Sequence, residues 1–418
     1  MKQSFRNVPW GRLLSVFLAA ALLFTGLETP LFVQAAEGGT ISIGTAEDLQ
    51  KIGTDSAYPM SGDYKLTADI DLSGDDWEPM GGHIGNKGTC NPAEANVFSG
   101  TFDGQGHVIS GLTINLNDSI NQANKYGQVG FFSVIGSNNA SDYADVKNII
   151  FTDVAIRTDF PDGLAAVGTL AGEVNGYANI SGIVVVDGTL TVNPSGICDT
   201  VGAGGIIGEC RASDAAIMNN FISVKDCYNG ADVFADGSRS DLVYAAGIIG
   251  RVAQSACKTI AQCVNTGIIQ YAGYDAFGIA TAQNGNASFL GTLNDCYIPS
   301  SLEQQVLGGV TAVKDKELLG GTLVGNLSAD TWQAEAGCYP VPKFCLSSSA
   351  AGRIYLSGLS LTFAEGESSS GVRTEIVLPQ TAGTDAITWS SSEETALTIE
   401  GDKAVAHPTE IGMDTTVM

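Results

Sequence analysis

One short acidic segment contains the residues with the strongest potential for chemistry. Five carboxylates lie within it, at Asp69, Asp71, Asp75, Asp76 and Glu78. Side chains two apart on a strand share a face, so Asp69 and Asp71 would lie together. A glycosidase needs two such carboxylates beside a cleft, and Asp75 with Asp76 could bind calcium, although the spacing fits no EF-hand loop or Gly-Asp repeat. We interpret the segment as a structural corner, with calcium binding and catalysis as the alternatives.

The other familiar catalytic patterns are missing. The three histidines are His83, His107 and His407, and no HExxH or GxSxG motif occurs. The glycine-rich stretches lack the Lys-Ser/Thr of a phosphate-binding loop. We expect His107 to stabilise a turn. The sequence therefore predicts no catalytic, cofactor-binding or metal-binding residue, no cofactor, and no enzyme activity.

Six tyrosines near the repeat edges could stack on sugar rings. Packing in the core or at corners is the expected role for each: Tyr126, Tyr143, Tyr177, Tyr244, Tyr271 and Tyr274.

The N-terminus has the order of segments found in a secretory signal peptide. Lys2, Arg6 and Arg12 precede an apolar run from Leu13 to Leu27, and small residues follow at 33–36. That run is short for a membrane span, which needs roughly 20 residues. We predict cleavage after residue 35 or 36, with an uncleaved anchor as the alternative, and no membrane span after cleavage.

The composition describes an acidic all-β protein. The formal net charge is −25, charged residues make up 16% and glycine contributes 52 residues. A chain this acidic lacks the Lys and Arg that phosphate contacts need, so we expect no nucleic-acid partner. Nine cysteines occur without any CxxC pair, which leaves zinc binding unsupported. We expect recurring cysteines to stack as small buried residues, with Cys338 and Cys345 the nearest pair for a disulfide.

Two short motifs alternate through the middle of the chain. A Gly-aliphatic motif is anchored at Gly130, Gly168, Gly205, Gly247 and Gly278. A second apolar motif lies between these anchors, as in Val224–Tyr228. Short strands with glycine at the corners predict a parallel β-helix, with coils of about 20 residues and about 12 rungs in a rod of roughly 55 to 60 Å. A β-propeller is the alternative.

Helix signals precede the repeats. Thr45 is a suitable N-cap, and acidic and apolar residues follow it through Ile52. We predict a short capping helix over the first rung, which would block edge-to-edge association.

Three successive segments resemble the start of GLUG-repeat bacterial surface proteins. They are TAEDLQKIG from Thr45, YKLTADIDLSGDDWEPMG from Tyr64 and FSGTFDGQGHVISGLTIN from Phe98. Asp226–Gly230 corresponds to a later motif, and Leu323–Phe344 to the closing element. The resemblance covers about residues 44 to 345 and implies a right-handed parallel β-helix in a bacterial surface protein.

The end of the chain resembles a bacterial Ig-like domain. Alternating strands at Glu375–Pro379, 397–399 and 404–408, with a central Trp389, suit a small sandwich. The sequence reaches Met418 inside what should be the next strand, so we expect a fragment of a longer protein, with a frayed domain as the alternative. A sortase-like LPQTA from Leu378 is better explained as part of a strand.

These observations predict a noncatalytic secreted or cell-surface protein, a rigid adhesive or structural stalk. The alternative is a carbohydrate-binding or carbohydrate-active (lyase or hydrolase) β-helix. A surface glycan or a host or cell-wall protein is the expected partner. The predicted fold is an all-β, right-handed parallel β-helix with a short N-terminal capping helix, then a truncated Ig-like β-sandwich. Its segments are a signal peptide (1–36), an N-terminal cap (37–56), GLUG-like repeats (57–345), a linker (346–358) and a partial Ig-like domain (359–418).

Overall fold

The protein, seen here as a computed structural model, divides into two compact units, Met1–Gly39 and Thr40–Met418. The predicted signal peptide lies outside the described residues, as do His83, Tyr126 and Tyr274. The structure describes residues 39–81, 96–116, 127–160, 163–194, 198–212, 221–236, 242–272, 276–357, 362–363, 374–378, 380–382, 385–386, 388–389 and 397–407.

Four stacks of parallel strands make up most of the second unit. Sheet 1 contains Ile41–Ile43, Asp63–Leu66, Ile70–Asp71, Thr101–Asp103, Val108–Ser110, Ala144–Thr152, Ala178–Val185, Ile222–Lys225, Tyr228–Asn229, Cys257–Ala261, Val264–Asn265, Thr292–Asn294, Cys296–Pro299 and Val310–Val313. Sheet 2 contains Thr113–Leu116, Val154–Phe160, Gly188–Pro194, Asp232–Asp236 and Ile269–Ala272. Sheet 3 contains Gly127–Val129, Gly163–Gly168, Cys198–Gly204, Val243–Ala246 and Ala276–Phe277. Sheet 4 contains Phe132–Ile135, Ala171–Asn175, Ile207–Arg211, Ile249–Val252 and Ala280–Ala282.

The register of sheet 1 gives the length of one coil. A continuous ladder joins eight positions of the described chain, namely Ile41, Tyr64, Phe102, Val146, Ile180, Val224, Ile260 and Leu293. After the first rung, partners are 33 to 44 residues apart. At about 4.8 Å per rung the ladder spans about 34 Å.

This register corrects the predicted dimensions. The coil of about 20 residues and the rod of 55 to 60 Å are wrong, because the two apolar motifs of a repeat form different faces of one coil. The Gly-aliphatic motif joins sheets 3 and 4, and the second motif lies in sheet 1. Parallel pairing in all four sheets gives a solenoid-like fold and not a propeller. Its handedness stays a prediction.

Glycine lets sheets 3 and 4 pack against each other. The chain turns between these two sheets at two aliphatic residues. In the pair Ile206–Ile207, for example, the first side chain is buried in the core. A Cβ at Gly172 would lie 2.3 Å from the Val129 backbone nitrogen, and one at Gly208 would lie 2.3 Å from that of Val167. Any side chain at either glycine would therefore force the two sheets apart.

One residue in each of five coils of sheet 1 breaks the alternation of side chains. The backbone there is left-handed, with φ between 51° and 61°, at Asn148, Gly182, Asp226, Gln262 and Asp295. After this position the next two residues point to opposite faces, so Cys227 enters the central core and Tyr228 the outer face. Sheet 1 is therefore apolar on both faces along this column.

The inner column confirms that the recurring cysteines stack. Cys227, Cys263 and Cys296 are free thiols, fully buried, in three successive coils. Burial is the main cause that raises the pKa of the Cys263 thiol well above its usual value. Cys338 and Cys345, the pair predicted as eligible for a disulfide, are also free and buried.

A return strap, residues 314–357, covers the outer apolar column. It runs back toward the first coils, because the Asn326 amide donates to Tyr297 Oη (2.8 Å) and Trp332 Nε1 donates to Asp226 Oδ1 (2.9 Å). Its elements are the helix Asp315–Leu318, the antiparallel strands Trp332–Gln333 and Val341–Pro342, the 3-10 helix Lys343–Ser347 and the helix Ala351–Ser357. Among the described residues, 3-10 helices also precede it at Gln283–Gly285, Ala287–Leu290 and Ser300–Leu302.

The predicted capping helix is present as Ala46–Lys51. Thr45 Oγ1 accepts the Asp48 amide hydrogen at 3.2 Å, which makes Thr45 the N-cap. Leu49 is fully buried in the core of the first coils.

The C-terminal residues form a small antiparallel sheet. Its order is Thr362–Phe363, Glu375–Val377, Lys403–Ala406 and Leu397–Glu400, and Thr381–Ala382 pairs separately with Asp385–Ala386. Leu378, the first residue of the sortase-like motif, is buried beside Ile376. The pairing agrees with the alternating pattern, and the Ig-like topology stays a prediction.

Candidate binding groove

A groove of about 350 Å³ lies where the end of the return strap meets the first coils. Sheet 1 contributes one wall, because Asp69, Ser110 and Thr152 belong to neighbouring coils. The helix Ala351–Ser357 and the residues before it form the other wall. The polar side chains of the lining are Asp69, Asp71, Ser110, Thr152, Asp153, Ser349 and Arg353.

Asp69 joins three parts of the chain at this groove. Its Oδ1 accepts the Val108 amide hydrogen at 3.0 Å and lies 3.0 Å from His107 Nδ1, and its Oδ2 accepts the Ser349 hydroxyl at 2.5 Å. Burial opposes ionisation, but the hydrogen bonds from Ser349, Val108 and His107 lower the pKa of Asp69 below its usual value. The carboxylate therefore locks the strap to the second and third rungs.

Asp71 is also held in its ionised form. The Ser73 amide donates to its Oδ1 at 2.8 Å, and this bond is the main cause that lowers the pKa of Asp71. Ser110 Oγ lies 3.5 Å from the same oxygen. The two carboxylates predicted to share a face do line one groove.

Arg353 closes the far side of the groove. Its Nη2 donates to Asp153 Oδ1 at 2.6 Å, and its Nε donates to Asp187 Oδ2 at 2.9 Å. The bond to Asp153 is the main cause that raises the pKa of Arg353. Asp153 and Asp187 belong to successive coils, so this guanidinium joins two rungs to the strap.

The chemistry of the groove suits binding more than proton transfer. Ser349, Asp69 and His107 are the residue types of a hydrolytic triad, but the carboxylate stands between the other two. A nucleophilic serine needs the imidazole as its neighbour. A general acid needs a raised pKa, and Asp69 and Asp71 both have lowered values. Among the described residues no group of three His, Cys, Asp or Glu side chains could hold a metal ion.

The remaining residues of the acidic segment do not line the groove. Asp75, Asp76 and Glu78 are exposed, while Trp77 between them is buried and donates from Nε1 to the Phe131 carbonyl at 3.0 Å. His407 lies in the C-terminal sheet, where its Nε2 is 2.8 Å from Thr398 Oγ1.

Of the six tyrosines expected to pack in the core or at corners, two pack against each other and a third packs against an arginine. Tyr143 and Tyr177 occupy equivalent places in successive coils with ring centroids 5.2 Å apart, and Phe221 extends this row at 4.2 Å from Tyr177. Tyr244 lies in sheet 3 beneath Arg251, 5.5 Å from guanidinium carbon to ring centroid. The side chain of Tyr271 lies outside the described part.

Sequence reasoning missed two buried polar rows. Asn229 and Asn265 are fully buried, and Asn229 Nδ2 donates to Asn265 Oδ1 at 2.8 Å across neighbouring coils. Glu173, Glu209 and Arg251 form a second row in sheet 4. Each of these three residues follows the second glycine of the Gly-aliphatic motif, and that repeated position was the available signal.

No helix among the described residues is long and apolar enough to cross a membrane. No family model matches the chain.

Two curated relatives are similar to about a third of the chain. Halomucin of Haloquadratum walsbyi is 33% identical over 141 residues, which are 33% of this chain and 1% of that protein. A protein of Evansella cellulosilytica, provisionally described as a Gly-rich membrane protein, is 31% identical over 134 residues, which are 32% of this chain and 12% of that one. The matched parts are thus small fractions of both relatives.

The comparison with solved structures found one similar chain. It is a protein of Bacteroides ovatus provisionally described as an immunoglobulin A1 protease, and it is 16% identical with a TM-score of 0.41. The match covers 74% of this chain and 94% of that chain. The described chain is thus similar to parts of two large proteins and to one solved chain, and its own family is not assigned by them.

Proposed function

We propose that this chain is a noncatalytic secreted or cell-surface protein whose solenoid is a rigid adhesive or structural element. The observation that carries the proposal is the eight-position ladder of sheet 1, packed on both faces. The central core covers its inner side, and the return strap covers the outer column. Bending such a stack would break cross-coil pairing and open an apolar layer at the same time, so the rod resists deformation.

The end of the return strap supports the proposed rigidity, because it contacts several coils. Ser349 contacts Asp69 beside the second rung, and Arg353 contacts Asp153 and Asp187 beside the fourth and fifth rungs. These bonds tie coils that are not all neighbours in the ladder, which supports the proposed rigidity of the rod.

Three further features support a place outside the cell. The N-terminal segment has the order of a signal peptide, and one partial relative is described as a membrane protein. The repeat motifs resemble those of GLUG surface proteins, which favours a right-handed coil. We include the C-terminal antiparallel sheet in the proposal as part of an Ig-like spacer.

Cell fractionation tests the location. Antibodies raised against the mature chain should detect the protein in the medium or the cell envelope, and protease added to intact cells should remove it. Recovery in the protease-protected, soluble interior of the cell would contradict the proposal.

The second candidate function, carbohydrate binding or cleavage, is favoured by the groove with Asp69 and Asp71 and by the aromatic row of Tyr143, Tyr177 and Phe221. Purified residues 37–418 should release no reducing ends and no unsaturated products from a panel of plant, microbial and host glycans. Release by the wild type that is lost in Asp69→Asn would establish a catalytic groove instead. Binding on a glycan array without release would identify the partner class.

A further inference from the structure

A row of charged side chains lies inside sheet 4. Glu173 is in register with Glu209, and Glu209 with Arg251, in three successive coils. Their exposed fractions are 2%, 3% and 6%, so all three are buried. We call these three residues the charged row.

The two carboxyl groups of the charged row have different partners. Arg251 Nη1 donates to Glu209 Oε1 at 2.7 Å. Glu173 accepts neutral hydrogen bonds, from Asn175 Nδ2 at 2.7 Å and from Gln128 Nε2 at 3.1 Å. The arginine of the row therefore neutralises Glu209 directly, and the Glu173 carboxyl has amides as its direct donors.

The groups around Glu173 determine how readily its carboxyl group ionises. Glu209 and the Cys210 thiol lie in the next coil of sheet 4, and Arg211 of that coil attracts a carboxylate at Glu173. Sheet 3 contributes the Gln128 amide, and Tyr244 faces Arg251 from that sheet. Burial, and then repulsion by Glu209, raise the pKa of Glu173 to about 7.

We propose that Glu173 is a proton switch that couples the packing of sheets 3 and 4 to pH. In its neutral form the carboxyl adds no charge to the buried space between the sheets, where burial and Glu209 outweigh the Gln128 and Asn175 amides that favour the ionised form. In its ionised form it places a second buried negative charge beside Glu209, and the close contact of the two sheets loosens. The switch is a property of the solenoid itself and does not depend on the proposed function.

The direction in which stability changes with pH follows from the raised pKa of Glu173. The pKa of Glu173 rises from an ordinary 4.5 to about 7, so the folded state holds the proton more tightly. The stabilisation is complete below about pH 4.5 and is lost as the pH rises through about 7. The folding equilibrium constant should fall roughly 10²-fold over this window.

The test compares thermal unfolding of residues 37–418 between pH 4.5 and 8.5 in three proteins. Glu173→Gln imitates the neutral carboxyl, so it should flatten the decline of Tm with pH that the wild type shows. Glu78→Gln removes an exposed carboxyl and should keep the wild-type decline. Equal pH dependence in wild type and Glu173→Gln would overturn the proposal.

Hydrogen exchange of the wild type gives an independent result if Glu173→Gln does not fold. After correction for the intrinsic exchange rate, amides of Gly163–Gly168 and Ala171–Asn175 should lose protection between pH 5.5 and 8. Amides of Ala144–Thr152 in sheet 1 should keep theirs. Equal behaviour of the two regions would overturn the proposal.

Discussion

Residues at equivalent positions of successive coils contact one another in this solenoid. The Asn229–Asn265 pair illustrates this: it satisfies buried amides across coils, and a Cβ at Gly247 would meet Asn265 Cγ at 2.1 Å. The glycines between sheets 3 and 4 act in the same way. Their effect comes from the backbone of the opposite sheet, which cannot move aside as a flexible side chain could.

Two glycine-to-alanine changes test whether glycine is needed for the close packing of sheets 3 and 4. One is in a tight contact and the other is at an open position in a helix. Gly208→Ala would place Cβ 2.3 Å from the Val167 nitrogen, so it should destabilise the fold by about 3 kcal/mol or more. Gly352→Ala meets nothing within 4 Å and lies in the helix Ala351–Ser357, so it should stabilise by up to about 1 kcal/mol. Urea unfolding of both variants measures the difference. Equal midpoints would contradict the proposed close packing of the sheets.

At the scale of the elements, the return strap makes specific hydrogen bonds to the rest of the solenoid. It follows the left-handed positions of sheet 1 from one coil to the next, through Asn326 at Asp295, Ser328 at Gln262 and Trp332 at Asp226. The left-handed backbone exposes these polar side chains beside the apolar column. The strap therefore binds a polar row and an apolar row at once.

Two substitutions in the strap should differ strongly in effect. Trp332 is 1% exposed, so Trp332→Ala should cost about 3 to 5 kcal/mol of unfolding free energy. The Arg353 side chain is 43% exposed, so Arg353→Gln should cost less than about 1 kcal/mol.

Limited proteolysis gives a second test of the Arg353→Gln substitution. Arg353→Gln should speed cleavage within residues 343–357, and added salt should reduce its difference from the wild type because salt screens the exposed ion pairs. Cleavage of Arg353→Gln at the wild-type rate in low salt would show that the ion pairs do not hold the strap.

At the scale of the whole molecule, the return strap covers an apolar surface of the solenoid that would otherwise be exposed. A chain ending at residue 313 would expose the outer column, which includes Tyr228, Val264 and Tyr297. An apolar patch of this kind promotes association. A chain ending at residue 357 keeps the strap and its contacts with Asp69, Asp153 and Asp187.

We therefore expect residues 37–313 to aggregate and residues 37–357 to remain monomeric with a Tm within a few degrees of that of residues 37–418. Light scattering and calorimetry measure both properties. A monodisperse 37–313 with an unchanged Tm would show that the strap is not needed to complete the fold. A large fall in Tm for 37–357 would show that the C-terminal sheet also stabilises the solenoid.

Local patterns in the sequence were sufficient for the class of fold. Repeated Gly-aliphatic and apolar motifs indicated stacked short strands, the residues after Thr45 indicated the capping helix, and the period-two spacing placed Asp69 and Asp71 on one face. These features depend on neighbours within a few residues. The same reasoning identified the stacked cysteines, because their repeat position was visible.

The coil length, the strap and the groove were decided only by the tertiary structure. Whether two motifs form one coil or two depends on which strands pair across more than 30 residues, and the sequence alone leaves that open. Arg353 meets Asp153 two hundred residues earlier, so no local spacing could predict the groove. The sequence analysis did not single out Glu173 and Glu209, and the packing of sheets 3 and 4 places them inside, where burial raises the pKa of Glu173.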